Sequence, residues 1–178
     1  MLLFLLMAIL DPEVADAYDL AGHGLRQPGA TVPMSKVVDR HGKAVNLQAL
    51  DHRVRLMVMV EPLGRDEGLK RLAWWSTNAA QFKGLASVMV MPCGSALPAA
   101  KTPGLILLDD PQCRQAALFG SIRTYGKDLG ALPAVFVIDD SGVVRATIEP
   151  APAKEQAPKI LAAVRRLRQQ LAQQGQRY

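Results

Sequence analysis

The chain contains two cysteines, Cys93 and Cys113, and they are its best candidates for covalent chemistry. Cys93 ends the apolar run "ASVMVMPC". Cys113 follows "GLILLDDPQ" and opens a short helical segment. Both runs have strand length. If the two strands are parallel neighbours, both thiols leave the C-terminal edge of the sheet, where open α/β sheets carry their active sites. Three readings of the pair are open: a structural disulfide, two separate reduced thiols, or a redox pair. A bridge closing a loop of about twenty residues would stabilise by roughly 3 kcal/mol in the chain-entropy picture. Cα atoms more than about 7 Å apart would exclude it.

Other candidate groups point to structure. His23, His41 and His52 lie in loops and a turn without paired ligand spacing, so they and the cysteines do not compose a zinc site. Asp109–Asp110 and Asp139–Asp140 each close a strand before a turn, where aspartate accepts local backbone hydrogen bonds. Trp75 falls on an apolar helical stripe. Trp74 falls off it and could mark a contact surface. No phosphate-cradling glycine loop, serine nucleophile motif or other cofactor motif is present, and no cofactor is expected.

The elements that must position the cysteines follow from periodicity. "VVDRHGKAVNL" reads as a hairpin turning at residues 40–43. "VRLMVMVEP" (54–62) is continuously apolar, as suits a strand covered on both faces. Residues 66–83 switch to helical spacing, with Leu69, Leu72, Trp75, Ala79 and Phe82 on one face and Asp66 and Glu67 in the first turn. Strands follow at 86–92 and 104–110, then a short helix ending at Gly120 and a loop through Tyr125, Gly126 and Gly130. A second hairpin runs from "AVFVIDD" into "GVVRATIEP". The last helix, 153–173, buries Ile160, Val164, Leu167 and Leu171. Strands alternating with helices and then a hairpin predict an α/β sandwich with a mixed sheet: parallel inside, antiparallel at the late hairpin.

In this order, "PGATVPMSKVVDRHGKAVNLQAL", "VRLMVMV", "LLDDPQCRQAALFG" and "LPAVFVIDDSGVVR" resemble the thioredoxin-like superfamily. The likeness is to its redoxin branch: alkyl hydroperoxide reductase/thiol-specific antioxidant proteins and thioredoxin-like proteins of cytochrome c maturation. The resemblance implies a three-layer sandwich over residues 28–173, after an N-terminal segment and linker (1–27) and before a tail (174–178). It implies a cis peptide bond at Leu132–Pro133, with a substrate or partner groove formed by Leu132, Pro133, Pro62 and Arg65. It also implies a nucleophilic thiol just after "VRLMVMV", where a helix start would stabilise a thiolate. That stretch reads "EPLGRDEGLKR" and has no cysteine. A peroxidase would need a Cys with a Thr or Ser there, and neither is present. Its acids, Glu61, Asp66 and Glu67, would oppose a thiolate. Cys93 would sit one strand over, with Cys113 as its resolving partner.

Two function classes therefore stand. One is a non-catalytic binding or accessory module; the other is a thiol–disulfide oxidoreductase or peroxide-handling enzyme using Cys93 and Cys113. The first is the sequence's preferred reading, because the usual thiol position is empty.

The chain's ends bear on partners and place. The formal charge of +5 sits in the C-terminal stretch, where Lys154, Lys159, Arg165, Arg166, Arg168 and Arg177 face Glu155 alone. A solvated helix face explains this, and an acidic protein or membrane surface could meet it. Without interleaved aromatics or a nucleic-acid motif, nucleic-acid binding is not expected. The run "MLLFLLMAIL" is too short to span a bilayer, yet with "ADA" at 15–17 it has the form of an export signal. No Lys or Arg precedes that run. Export to the cell envelope is the expectation, with a buried N-terminal element or a peripheral anchor as alternatives.

Overall fold

Six successive side chains from Arg55 to Val60 are all buried, as expected of a strand with helices on both sides. In the structure, a computed structural model, this strand lies inside a six-stranded mixed sheet. The residues described are 26–31, 38–39, 41, 43–45, 50, 54–94, 102–125, 128–149 and 153–175. The apolar run 1–10, the small-residue pattern at 15–17, His23 and His52 lie outside them.

In chain order the elements are β1 (Val38–Asp39), β2 (Arg55–Val60), α1 (Asp66–Asn78), β3 (Ser87–Pro92), β4 (Ile106–Asp109), α2 (Arg114–Leu118), β5 (Ile122–Tyr125), β6 (Asp128–Ala131), β7 (Ala134–Ile138), β8 (Val144–Ile148) and α3 (Ala153–Gly175). A 3-10 turn, Ala79–Phe82, extends α1. The sheet order is β1-β4-β3-β2-β7-β8. β2, β3 and β4 are parallel, and β7 and β8 run antiparallel beside β2, as the sequence predicts. The architecture is the expected thioredoxin-like α/β sandwich. The first hairpin survives as a Val38–Ala44 bridge and an Asp39 N–H bond to the Lys43 carbonyl. The Asp39 carboxylate accepts the N–H groups of His41 and Lys43 inside that turn.

The two sheet faces carry different chemistry. Val54, Leu56, Val58, Val60, Val88, Val90, Val135 and Val137 meet Leu72, Trp75 and Phe82 of the α1 segment and Ile160, Val164, Leu167 and Leu171 of α3. The predicted stripe of α3 is thus the buried one. On the other face Met57, Met59, Met89, Met91 and Cys93 pack with Phe136, Cys113, Ala116 and Phe119.

Two expectations need correction. Leu69 is 50% exposed instead of lining the buried face of α1. The inward position one residue earlier belongs to Gly68, because a Cβ there would meet the Glu61 carbonyl at 2.5 Å and the Pro62 carbonyl at 2.6 Å. The chain leaving β2 occupies the space a side chain would need, so α1 turns Leu72 and Trp75 inward and Leu69 outward. Second, the Leu132–Pro133 bond is trans, as are all the described peptide bonds. Leu132 is held on both sides by Ser121: its N–H donates to the Ser121 carbonyl at 3.1 Å, and its carbonyl accepts the Ser121 hydroxyl. The bond keeps the isomer favoured by about 0.5–1 kcal/mol.

Candidate functional site

β3 and β4 are parallel and adjacent, so the segments leaving their C-terminal ends emerge side by side. Cys93 follows Pro92 and Cys113 follows the Asp110–Gln112 turn. The two are bonded to each other, with Cα atoms 4.9 Å apart. The bridge excludes two separate reduced thiols and leaves a structural disulfide and a redox pair, and no described cysteine is free.

Asp110 organises both arms of the bridge. It pairs with Cys93 as a parallel β-bridge, and its carbonyl accepts the Cys113 N–H at 3.0 Å and the Gly94 N–H at 3.2 Å. Its carboxylate accepts the N–H groups of Gln115 and Ala116 at 3.2 and 2.9 Å, so it caps α2 from three residues upstream of Cys113. Burial raises the Asp110 carboxyl above the usual aspartate range, against the pull of those amides. Cys113 has φ 56°, the left-handed region that non-glycine residues rarely adopt, and it is the one described non-glycine residue there. Its conformation is fixed by the bridge on one side and the Asp110 hydrogen bond on the other.

The bridge is dry but close to the surface. Cys93 is 0% and Cys113 1% exposed, while the adjoining Gly94 is exposed. A Cβ at Gly94 would lie 3.5 Å from the Cys113 Sγ and 2.4 Å from the Leu129 carbonyl. The β5–β6 ribbon therefore presses its backbone on Gly94 and covers the sulfurs from that side.

The other predicted site residues occupy the same sheet edge in a different place. Val60 is level with Pro92, so Cys93 lies level with Glu61, one strand away from the chain leaving β2. Met59 is level with Ala134, which brings Pro133 beside the end of β2 from the opposite side. Two strand spacings, about 10 Å, separate the Cys93 and Pro133 positions. Pro62 and Pro133 are buried, Leu132 is half-buried and Arg65 is exposed. The Leu132 backbone is already committed to Ser121.

The β2–α1 turn is packed closed. The Glu61 carboxylate is buried and accepts the Arg71 Nε–H with both oxygens, at 2.8 and 3.0 Å. The Arg65 N–H donates to the Pro62 carbonyl at 3.0 Å, and Gly68 lies against both preceding carbonyls. This ion pair was not foreseen from the sequence, since residues ten apart across a turn show no periodic signal. The aspartate pairs do serve turns. Asp139 accepts the Ser141 and Val143 N–H groups and pairs with Arg145 at 2.6 Å. Among the described residues no group of three or more His, Cys, Asp or Glu side chains could hold a metal ion, and no helix is long and apolar enough to cross a membrane.

No protein-family model matches the chain, and no curated protein matches it. Solved structures do. The peroxidoxin BcpB of Mycobacterium tuberculosis is 24% identical with a TM-score of 0.61, over 78% of this chain and 96% of that one. A peroxiredoxin-like protein of Aquifex aeolicus is 19% identical with a TM-score of 0.63, over 80% and 88%. A thiol peroxidase of Chromobacterium violaceum is 18% identical with a TM-score of 0.60, over 82% and 90%. At these identities the likeness is one of fold: the chain has the redoxin-type thioredoxin-like architecture.

Proposed function

We propose that this chain is a thiol–disulfide redox protein of peroxiredoxin type, with Cys93 and Cys113 as its exchangeable pair. The observation that carries the reading is the bridge between two cysteines at the C-terminal edge of the parallel strands, one strand from the β2–α1 turn. The similarity of fold to peroxiredoxins and a thiol peroxidase favours a hydroperoxide as oxidant. In the forward step the Cys93 thiolate attacks the distal oxygen of ROOH. The O–O bond breaks, ROH leaves, and Cys93 becomes a sulfenic acid. The Cys113 thiol then attacks that sulfur, water leaves, and the bridge forms. A dithiol of a partner protein closes the cycle by thiol–disulfide exchange, and is itself oxidised to a disulfide. Both steps require the β5–β6 ribbon to lift from Gly94.

A second reading is favoured by the burial of both cysteines and by the closed, cysteine-free β2–α1 turn. In it the bridge is a permanent staple, and the chain is an accessory module of the cell envelope that docks a protein partner.

One experiment separates the two. Peroxide consumption and dithiol-substrate oxidation are measured for the native chain, Cys93→Ser and Cys113→Ser, with alkylation before and after mild dithiol treatment. Turnover that both variants lose, with rapid reduction of the bridge, supports the redox cycle. A bridge inert to dithiol in the folded protein, without turnover, overturns it in favour of the accessory module.

A further inference from the structure

The bridge belongs to a larger concentration of sulfur. Met57 and Met59 of β2 face Met89 and Met91 of β3 in direct register, Met57 beside Met89 and Met59 beside Met91. All four lie on the sheet face that carries Cys93, and each is at most 1% exposed. Met91 precedes Cys93 by two residues, and Cys93 continues the line of β3 as a parallel bridge to Asp110, so their side chains project from the same face. Four of the chain's seven methionines thus share one core cluster with both of its cysteines.

This donor set has a definite preference. Thiolate and thioether are soft ligands and select soft cations. Zinc would take four ligands from nitrogen, sulfur or oxygen, and calcium or magnesium would take oxygens. The carboxylate at hand, Asp110, already accepts the α2 amides. The two sulfurs are also kept together without their bond, because the Asp110 carbonyl holds the N–H groups of Gly94 and Cys113.

We propose that, when the bridge is reduced, the chain binds one copper(I) ion between the Sγ atoms of Cys93 and Cys113, with the Met91 thioether as third ligand. Copper displaces the two thiol protons and no electron is transferred. The dry setting excludes water from the ion, and exposed Gly94 marks where it would enter. The inference needs the bridge to be reducible but does not need peroxide turnover.

The test uses the full chain, reduced by a phosphine, desalted without oxygen and titrated with copper(I) bicinchoninate. The expected result is one copper per chain, three sulfur neighbours in copper K-edge absorption, and no uptake by the oxidised chain. Cys93→Ser and Cys113→Ser abolish tight binding. Met91→Leu, a volume-conserving change, weakens it at least about tenfold, the loss that even an outer-sphere partner costs. Met57→Leu, further down β2, leaves it unchanged. A reduced native chain that takes no copper from the chelator overturns the site. Equal affinity in Met91→Leu, or equal weakening in Met57→Leu, overturns the thioether assignment. Because copper uptake is read separately from turnover, either property can fail without the other.

Discussion

Gly68 shows how one missing side chain sets a local structure. Alanine is the better helix former by about 1 kcal/mol, and at an ordinary helical position Gly→Ala would stabilise by that amount. Here the added methyl would sit 2.5 and 2.6 Å from two backbone carbonyls, those of Glu61 and Pro62, which cannot rotate away as a side chain can. Gly68→Ala is therefore expected to destabilise by about 1–3 kcal/mol, in the range of other overpacking changes. Urea unfolding checks the sign. A gain in stability would mean that the β2–α1 turn is looser than its geometry indicates. The same residue explains why Leu69 was misassigned from sequence. Apolar spacing selects Leu69 as readily as Leu72 and gives no weight to a glycine, although the glycine marks where the backbone of another segment lies.

At the scale of elements, the first hairpin offers a test with a definite pH sign. Asp39 is held below the usual aspartate range, first by the His41 N–H, then by the Lys43 N–H and the neighbouring positive charges. A depressed carboxyl stabilises the folded form above its unfolded pKa, and that contribution is lost as pH falls through the folded value. The hairpin should therefore keep this contribution at neutral pH and lose it below the ordinary aspartate value of about 3.9. In Asp39→Asn the dependence should vanish. Carboxyl NMR titration reads the midpoint directly, and a midpoint at or above the ordinary value would refute the turn's role. The elements that sequence identified best are those whose burial is complete. β2, β3 and β7 are continuous apolar runs, and α3 shows its four-residue stripe without interruption. Sequence spacing predicts only a loop where the β5–β6 ribbon forms. The ribbon pairs with itself, off the main sheet, through Ile122–Ala131 and Tyr125–Asp128, and Gly126 and Gly130 interrupt any alternation. The Cys93–Cys113 bridge was legible as one alternative of three, because spacing along the chain does not reveal which strands become neighbours. The Leu132–Pro133 bond is trans where the resemblance implies cis, and the Ser121 contacts that hold the Leu132 backbone come from eleven residues earlier, beyond any local sequence signal.

For the whole molecule, the sheet separates a valine-rich face under long helices from a sulfur-rich face under short elements. The valine-rich face lies under α1 and the long helix α3, whose buried residues span Gln156 to Leu171. The sulfur-rich face lies under α2, five residues long, and the two-stranded β5–β6 ribbon. A two-stranded ribbon is marginal by itself, and so short a helix cannot hold its shape without tertiary support. The bridge anchors Cys113 at the head of α2, Asp110 caps that helix, and the ribbon rests on Gly94. Breaking the bridge should therefore loosen one face selectively. In hydrogen exchange, reduction of the native chain is expected to speed the amides of α2, β5 and β6 at least about tenfold, a change of about 1.4 kcal/mol in local opening. The amides of β2, β3, β7 and α3 should stay close to their oxidised rates. Acceleration spread evenly over both faces would make the bridge a global staple and the sulfur face no gate. Unchanged exchange everywhere would mean that the ribbon is held by contacts other than the sulfurs it covers.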